Sequence, residues 1–402
     1  MYFIVSSQSN QGVKNSDLLY AQSYDDLLQE LERQNTTPLR IIQIPTFLSP
    51  IILLRVGKIS QDEVIEMIED LHLIFKSGLP LHQGIVDLAN DSDNKEFKNM
   101  LFHIAGDIQM GKSLSNALEA YKDVVGDIVL NLIKIGEESG QLEVTLKRGA
   151  TFLRRVMTLK KKVKTALIYP LFTFFAVMGA MLVWIIYVLP QMTELFKEMN
   201  IELPTLTVIL MNVSQFISGY IAYMLLALVL LVIAFKLAHR RYQSVRWVTD
   251  KYMLKTPVIK QIISSFNMAF ISEYLRLALI SGIPLSGAMD TLKKNVSNEL
   301  YKNALQDVAE DVTKGSPLSS AFVNTKLFAP FMTRMMSVGE SSGTLESQLE
   351  LISEHYYEKV DYYAENIGKI IEPVVLIIVG GFMALIMIGL MGPIYDLASN
   401  IK

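Results

Sequence analysis

Three stretches of the chain run without a charged side chain: between Lys164 and Glu194, between Glu202 and Lys236, and between Glu372 and Asp396. A bilayer core takes about 20 apolar residues as helix at ~1.5 Å rise each, so all three are long enough to cross. Prolines bracket the first and third, at Pro170 and Pro190 and at Pro373 and Pro393; the apolar centre of the second is Phe216–Phe235. The run Ile51–Leu54 stops at Arg55 and is too short. Outside these stretches the apolar period is helical. Ser60 with Glu63 reads as a capping box, followed by Val64, Ile68, Leu71 and Phe75 on one face. Gly78 and Pro80 end that helix, and Gly111 and Gly140 divide the rest of 60–164 into a bundle of about six helices. Neither this segment nor 260–368, which is punctuated the same way, has the two-residue alternation of strands. Residues 1–45 differ: Tyr2–Val5 and Pro38–Ile44 read as strands and Tyr24–Arg33 as a short helix, before a linker marked by Pro45 and Pro50.

The punctuation is a duplication. Ser77-Gly78-Leu79-Pro80-Leu81 returns 204 residues later as Ser281-Gly282-Ile283-Pro284-Leu285, and Gly111 with Leu114, Ser115 and Ala117 returns at the same offset as Gly315 with Leu318, Ser319 and Ala321. Gly136-Glu137, Ser139-Gly140 and Leu142-Glu143 return 203 residues later as Gly339-Glu340, Ser342-Gly343 and Leu345-Glu346. Pro170 and Pro190 keep that second offset to Pro373 and Pro393. The repeated unit is a polar helical domain followed by a membrane span. The expected organisation is a small N-terminal α/β element and linker (1–50), a first repeat (58–164), a span (166–190), a loop (191–215), a second span (216–236), a second repeat (260–368), a third span (373–393) and a tail (394–402).

Basic residues orient the spans. Arg154, Arg155, Lys160, Lys161, Lys162 and Lys164 precede the first, and Lys236, Arg240, Arg241 and Arg246 follow the second. The loop between has Lys197 against Glu194, Glu198 and Glu202. The positive-inside tendency therefore puts both repeats in the cytoplasm, and the loop and C-terminus outside. The first 45 residues are too polar for a signal peptide, so the N-terminus is also expected to be cytoplasmic. The fold class is an all-α membrane protein with two homologous cytoplasmic bundles and three transmembrane helices. The 51% hydrophobic and 19% charged composition agrees. A net charge of −3 gives no footprint for nucleic acid, and the absence of cysteine removes disulfides and thiolate chemistry.

Candidate chemistry is sparse. Gly106-Asp107-Ile108-Gln109-Met110-Gly111-Lys112-Ser113 satisfies the P-loop pattern, but a P-loop follows a strand. Here Phe97, Leu101, Ile104 and Ile108 run into it at helical spacing, and the second copy has Glu310 and Ser316 where Gly106 and Lys112 stand. Glu137, Glu138 and Glu340 sit just before a glycine stop; they read either as a partner-docking or cation-binding patch, or as a solvated helix end. The five histidines (His72, His82, His103, His239, His355) lack metal-ligand spacing, and no nucleophile elbow occurs. No catalytic residue, metal or cofactor is expected. The spans carry no ionisable group at mid-depth, which counts against a coupled transporter. A transporter or channel with duplicated cytoplasmic regulatory domains is nevertheless the alternative from another class.

With G-[LI]-P-L, G-x-x-L-x-x-A and G-E-x-S-G-x-L in both copies, and a span opening at Tyr169-Pro170, residues 58–395 resemble the type II secretion F protein family. Lys58-Ile59-Ser60 and Thr37-Pro38-Leu39 resemble its domain entry and N-terminal element. Glu372-Pro373 in place of Tyr-Pro, and Ser341 opposite Glu138, depart from that pattern. The resemblance implies a non-catalytic platform in the inner membrane of type II secretion or type IV pilus machines. It also implies the partners: a cytoplasmic hexameric ATPase, the transmembrane helices of pilins or pseudopilins, other inner-membrane assembly proteins, and further copies of the chain. The motif residues Gly78, Pro80, Gly111, Gly136, Gly140, Pro170, Gly282, Pro284, Gly315, Gly339, Gly343 and Pro373 are expected to be structural.

Overall fold

A computed structural model describes residues 2–9, 14–20, 36–43, 59–198 and 205–400. The chain divides into two compact units, Met1–Lys147 and Arg148–Lys402.

The first unit opens with a three-stranded antiparallel sheet of order β2-β1-β3, with β1 (Tyr2–Ser9) between β2 (Lys14–Tyr20) and β3 (Thr36–Gln43). The sequence anticipated β1 and β3 but not β2, whose Lys-Asn-Ser-Asp start dilutes its apolar residues. The helix expected at Tyr24–Arg33 and the linker prolines Pro45 and Pro50 lie outside the described residues.

The first repeat is α throughout: α1 (Gln61–Ser77), α2 (Leu81–Asp91), α3 (Lys95–Gln109), α4 (Leu114–Glu119), α5 (Lys122–Val125), α6 (Asp127–Glu138) and the start of α7 (Leu142–Val183). The capping box forms as the sequence requires: Glu63 N donates to Ser60 Oγ at 3.1 Å and Ser60 N donates to Glu63 Oε2 at 2.6 Å. Of the face it starts, Val64, Ile68 and Leu71 are buried with Ile85, Leu101, Ile104, Leu118, Leu132 and Ile133, whereas Phe75, expected on that face, is exposed in the last turn of the helix. Burial of such side chains contributes roughly 1.5–3 kcal/mol each and holds short helices that would melt alone.

After α7 comes a π-helical turn (Trp184–Val188), then α8 (Leu189–Glu198), α9 (Thr205–Arg241) and α10 (Gln243–Met253). The second repeat is α11 (Pro257–Ile280), α12 (Leu285–Asn295), α13 (Glu299–Thr313), α14 (Leu318–Asn324), α15 (Pro330–Ser342) and the start of α16 (Leu345–Asn400). Asn94 and Asn298 cap matching helices, each accepting from two backbone N–H groups. The change of offset falls between α4 and α6: the first copy has α5 there, whereas the second connects α14 to α15 by a non-helical turn with Lys326 at φ 56. Three helices, Leu142–Phe196, Thr207–Arg241 and Leu345–Ile388, are long and apolar enough to cross a membrane.

Two boundaries differ from expectation. The 191–215 loop is helical over 191–198 and 205–215, and the 394–402 tail continues as helix to Asn400. The prolines that bracket the apolar segments do not end their helices: Pro170, Pro373 and Pro393 lie inside helices and Pro190 follows the π turn. In lipid a broken ladder exposes backbone groups with nothing to bond, so helix persists past each proline.

In the second unit, the polar stem of α7 is tied to α11 and α16. Glu273, 2% exposed, accepts from Arg276 at 2.9 Å and from Ser353 Oγ at 2.9 Å, and Arg155 stands 3.8 Å away. Burial works against the Arg276 charge, but Glu273 and Glu350 outweigh it and raise its pKa. Lys162 Nζ reaches Asp361 at 2.7 Å, Arg148 donates to Ile280 O at 3.0 Å, and Phe152 packs 5.6 Å from Phe270. Breaking a buried pair from one side leaves an uncompensated charge. Glu273→Ala should therefore destabilise the second unit by about 3–5 kcal/mol. Arg155→Ala, which removes a half-exposed partner, should cost about 1 kcal/mol or less. Thermal unfolding in detergent separates the two; equal effects would mean Glu273 is not the centre of the cluster.

Candidate functional site

Each repeat ends in the same helix-to-helix junction, and both halves of its sequence motif are explained by it. Gly140 adopts φ 69 and Gly343 φ 71, the left-handed region where a Cβ is penalised. The chain then closes a Schellman turn: Gln141 N donates to Gly136 O at 2.8 Å, and Thr344 N to Gly339 O at 2.9 Å. Two residues later the long helices begin at Leu142 and Leu345. The turn brings the incoming and outgoing helices into contact at the first glycine of the motif. A Cβ on Gly136 would stand 2.0 Å from Thr145 Oγ1, and one on Gly339 would stand 2.7 Å from Leu345 Cα. Only glycine allows that approach. The other motif glycines, Gly78, Gly111, Gly282 and Gly315, close turns of the same hand at φ 72, 88, 74 and 90. Pro80 and Pro284 start the next helix directly after such a turn.

The motif glutamates face inward. Glu137 accepts from Leu114 N at 2.5 Å, from Ser115 N at 3.1 Å and from Ser115 Oγ. Glu340 repeats this with Leu318 N at 2.5 Å, Ser319 N at 3.0 Å and Ser319 Oγ. Each carboxylate thus takes up free donors at the start of a short helix, α4 or α14, and ties it to the helix entering the junction. The sequence reading missed this cap. Its signal was present, since Ser115 and Glu137 recur together as Ser319 and Glu340. Glu138, by contrast, is exposed, and its counterpart Ser341 donates to Val338 O. Glu137 and Glu138, neighbours in sequence, thus have different surroundings, and no group of three acidic or histidine side chains arranged for a metal occurs among the described residues.

The P-loop-like segment is a helix end. Gly106 to Gln109 lie in α3, Lys112 N donates to Asp107 O at 3.1 Å, and Ser113 caps α4 by accepting from Asn116 N at 3.3 Å. Lys112 Nζ pairs with Asp107 at 3.0 Å. The amides that would curl round a phosphate are committed to the turn.

Within the spans, Trp184 meets Phe382 edge-to-face at 5.6 Å, joining the first and third. The π turn has a local cause. Leu189 N bonds Trp184 O five residues back, and in that register the next donor should serve Ile185 O. The next residue is Pro190, which has no N–H. Ser214 Oγ, on α9, donates to Ile185 O at 2.6 Å instead. A backbone acceptor freed by proline is satisfied from the second span.

The profile of type II secretion system (T2SS), protein F, matches residues 67–190 and 271–393. This chain belongs to that family. Each protein F match starts in the first helix of a repeat and ends at a matching proline, Pro190 or Pro393. Relatives include the type IV pilus assembly protein PilC of Pseudomonas aeruginosa, 26% identical over 92% of this chain and 98% of its own length. Another is the HofC homolog protein transport protein of Escherichia coli, 27% identical over 97% and 95%. The type II secretion system protein F of Vibrio cholerae is 26% identical over 84% and 83%.

In this protein F chain, Glu137→Ala and Glu340→Ala should each cost about 1–3 kcal/mol, because backbone donors lose their acceptor. Gly140→Val and Gly343→Val should cost ~1–2 kcal/mol through left-handed strain. Gly339→Ala should cost more than either valine, since its new Cβ meets backbone. Thermal unfolding of the purified variants gives the ranking, and an unperturbed Gly339→Ala would refute the close approach. Ser214→Ala should cost about 1 kcal/mol in a bilayer or detergent. It should also lower the yield of cysteine cross-links between α8 and α9; an unchanged yield would show that the latch does not hold the two spans together.

Proposed function

We propose that this chain is a non-catalytic platform of a bacterial inner membrane, serving a type IV pilus or type II secretion machine. It couples a cytoplasmic hexameric ATPase to the insertion of pilin or pseudopilin subunits into a filament. The observation that carries this reading is helix continuity. Helix α7 leaves one junction at Leu142 and α16 leaves the other at Leu345, and each runs on into an apolar span. A displacement imposed on a bundle is passed along a helix that has no loop to absorb it. The names of the relatives place those proteins in pilus assembly and type II secretion, which supports the same class of work here.

The basic flanks support the orientation, with the N-terminus and both repeats cytoplasmic and the C-terminus periplasmic. The ATPase then meets the bundles, the pilin helices meet the exposed apolar faces of the spans, and other assembly proteins and further copies of the chain complete the machine. Exposure of Glu138 at the first junction supports it as a docking carboxylate.

Deleting the gene should abolish filament assembly or secretion, and restoring it should return both. Tagged protein should co-purify with the hexameric ATPase encoded by the same cell. A reporter fused after Lys402 should be active only in the periplasm. A cytoplasmic reporter would refute the three-span topology. Solute flux lost in the deletion strain, with filaments intact, would favour the transporter reading instead.

A further inference from the structure

The second span does not hand over directly to the second repeat. At Tyr242 the backbone turns extended (φ −115, ψ 117) and a new helix, α10, begins. One face of α10 is fixed to α13: Gln243 Nε2 donates to Glu299 Oε2 at 3.0 Å, Arg246 Nε lies 3.4 Å from Glu299 Oε1, and Glu299 N donates to Asp250 Oδ2 at 2.8 Å. Residues 243, 246 and 250 share that face by helical spacing. The adjoining arc, which runs from Trp247 through Lys251 and Val248 to Tyr252, is exposed along its whole length. It is apolar, aromatic and basic at once. Lys251 Nζ lies 4.6 Å above the Trp247 ring, and Lys255 Nζ lies 5.4 Å above that of Tyr252. The one carboxylate of α10, Asp250, is turned to α13.

We propose that this face of α10 lies on the membrane and holds anionic lipid headgroups in the leaflet at the basic end of α9. Tryptophan and tyrosine favour the boundary between acyl chains and headgroups, and lysines extend from that depth toward phosphates. Trp247 with Lys251, and Tyr252 with Lys255, supply that combination. Position agrees. From Lys236, the first charge after the apolar core, to Gln243 is seven residues, about 10 Å of helix. The second bundle is thereby attached to the bilayer surface through α13 as well as through its spans. This inference rests on α9 being a span, and not on which machine the protein serves.

The test uses the full-length chain in lipid nanodiscs, where both faces of the bilayer are open to solvent. The chain has two tryptophans, so Trp184→Phe leaves Trp247 as the sole emitter. In discs containing phosphatidylglycerol, a lipid quencher placed near the headgroup should strongly reduce Trp247 emission, and aqueous iodide should have little effect. In pure phosphatidylcholine discs the lipid quenching should fall several-fold. Lys251→Glu with Lys255→Glu should produce the same fall in anionic discs, and the paired arginine variant should restore it. Because the chain lacks cysteine, Val248→Cys carrying an environment-sensitive probe gives a second reading should Trp184→Phe fail to fold. Strong iodide quenching with no response to the lipid label would overturn the proposal and leave the face free for a protein partner. Equal quenching in both lipids, unmoved by charge reversal, would also overturn it, since the headgroup charge would then play no part.

Discussion

Two glycines four residues apart, with a glutamate after the first, close the turn that joins each bundle to the start of its long helix. At Gly136 and Gly339 the absence of a Cβ lets the incoming and outgoing helices touch, and at Gly140 and Gly343 left-handed backbone turns the chain between them. The glutamate in each copy reaches across to the start of a short helix and binds it to the junction. None of the three parts works alone. A turn without the close approach would leave the helices splayed, and a close approach without the carboxylate would leave α4 and α14 with bare amides. The consequence is local: the helix entering each junction and the first turn of α7 or α16 are held together by packing.

The second unit adds a further constraint below the first and third spans. Glu273, Arg276, Ser353 and Arg155 bring α11, α16 and α7 together, and Lys162 meets Asp361 nearer the membrane. A buried ionic group such as Glu273 adds little net stability, but loss of one partner leaves the other uncompensated. The polar stems of two spans are in contact before either becomes apolar.

Much of this was legible in the sequence, because duplication filters signal from accident. Glycine stops that occur twice marked the helix ends, and the charge-free stretches marked the spans. The missing second copy of Lys112 exposed the P-loop resemblance as a helix end. Other features were hidden for physical reasons. Glu137 and Glu340 looked like surface groups because charge suggests solvent, whereas their partners lie 22 residues away along the chain in Ser115 and 21 in Ser319. Pro190 looked like a terminus because proline lacks a donor; the π turn and Ser214 compensate for that loss, and a hydroxyl from another span cannot be read from local pattern. Strand β2 is too polar to announce itself, and α10 is short and amphipathic beside a much stronger apolar signal.

The central claim is that each bundle is joined to its span by helix without a hinge. Amide hydrogen exchange on the full-length protein in a bilayer tests it most directly, read across residues 142–165 of α7 and 345–372 of α16. Slow exchange, unbroken from the junction to the first apolar turn in both helices, is the predicted result. A fast-exchanging segment between junction and span in either helix would contradict it, because motion imposed on the bundle would then be lost before reaching the membrane.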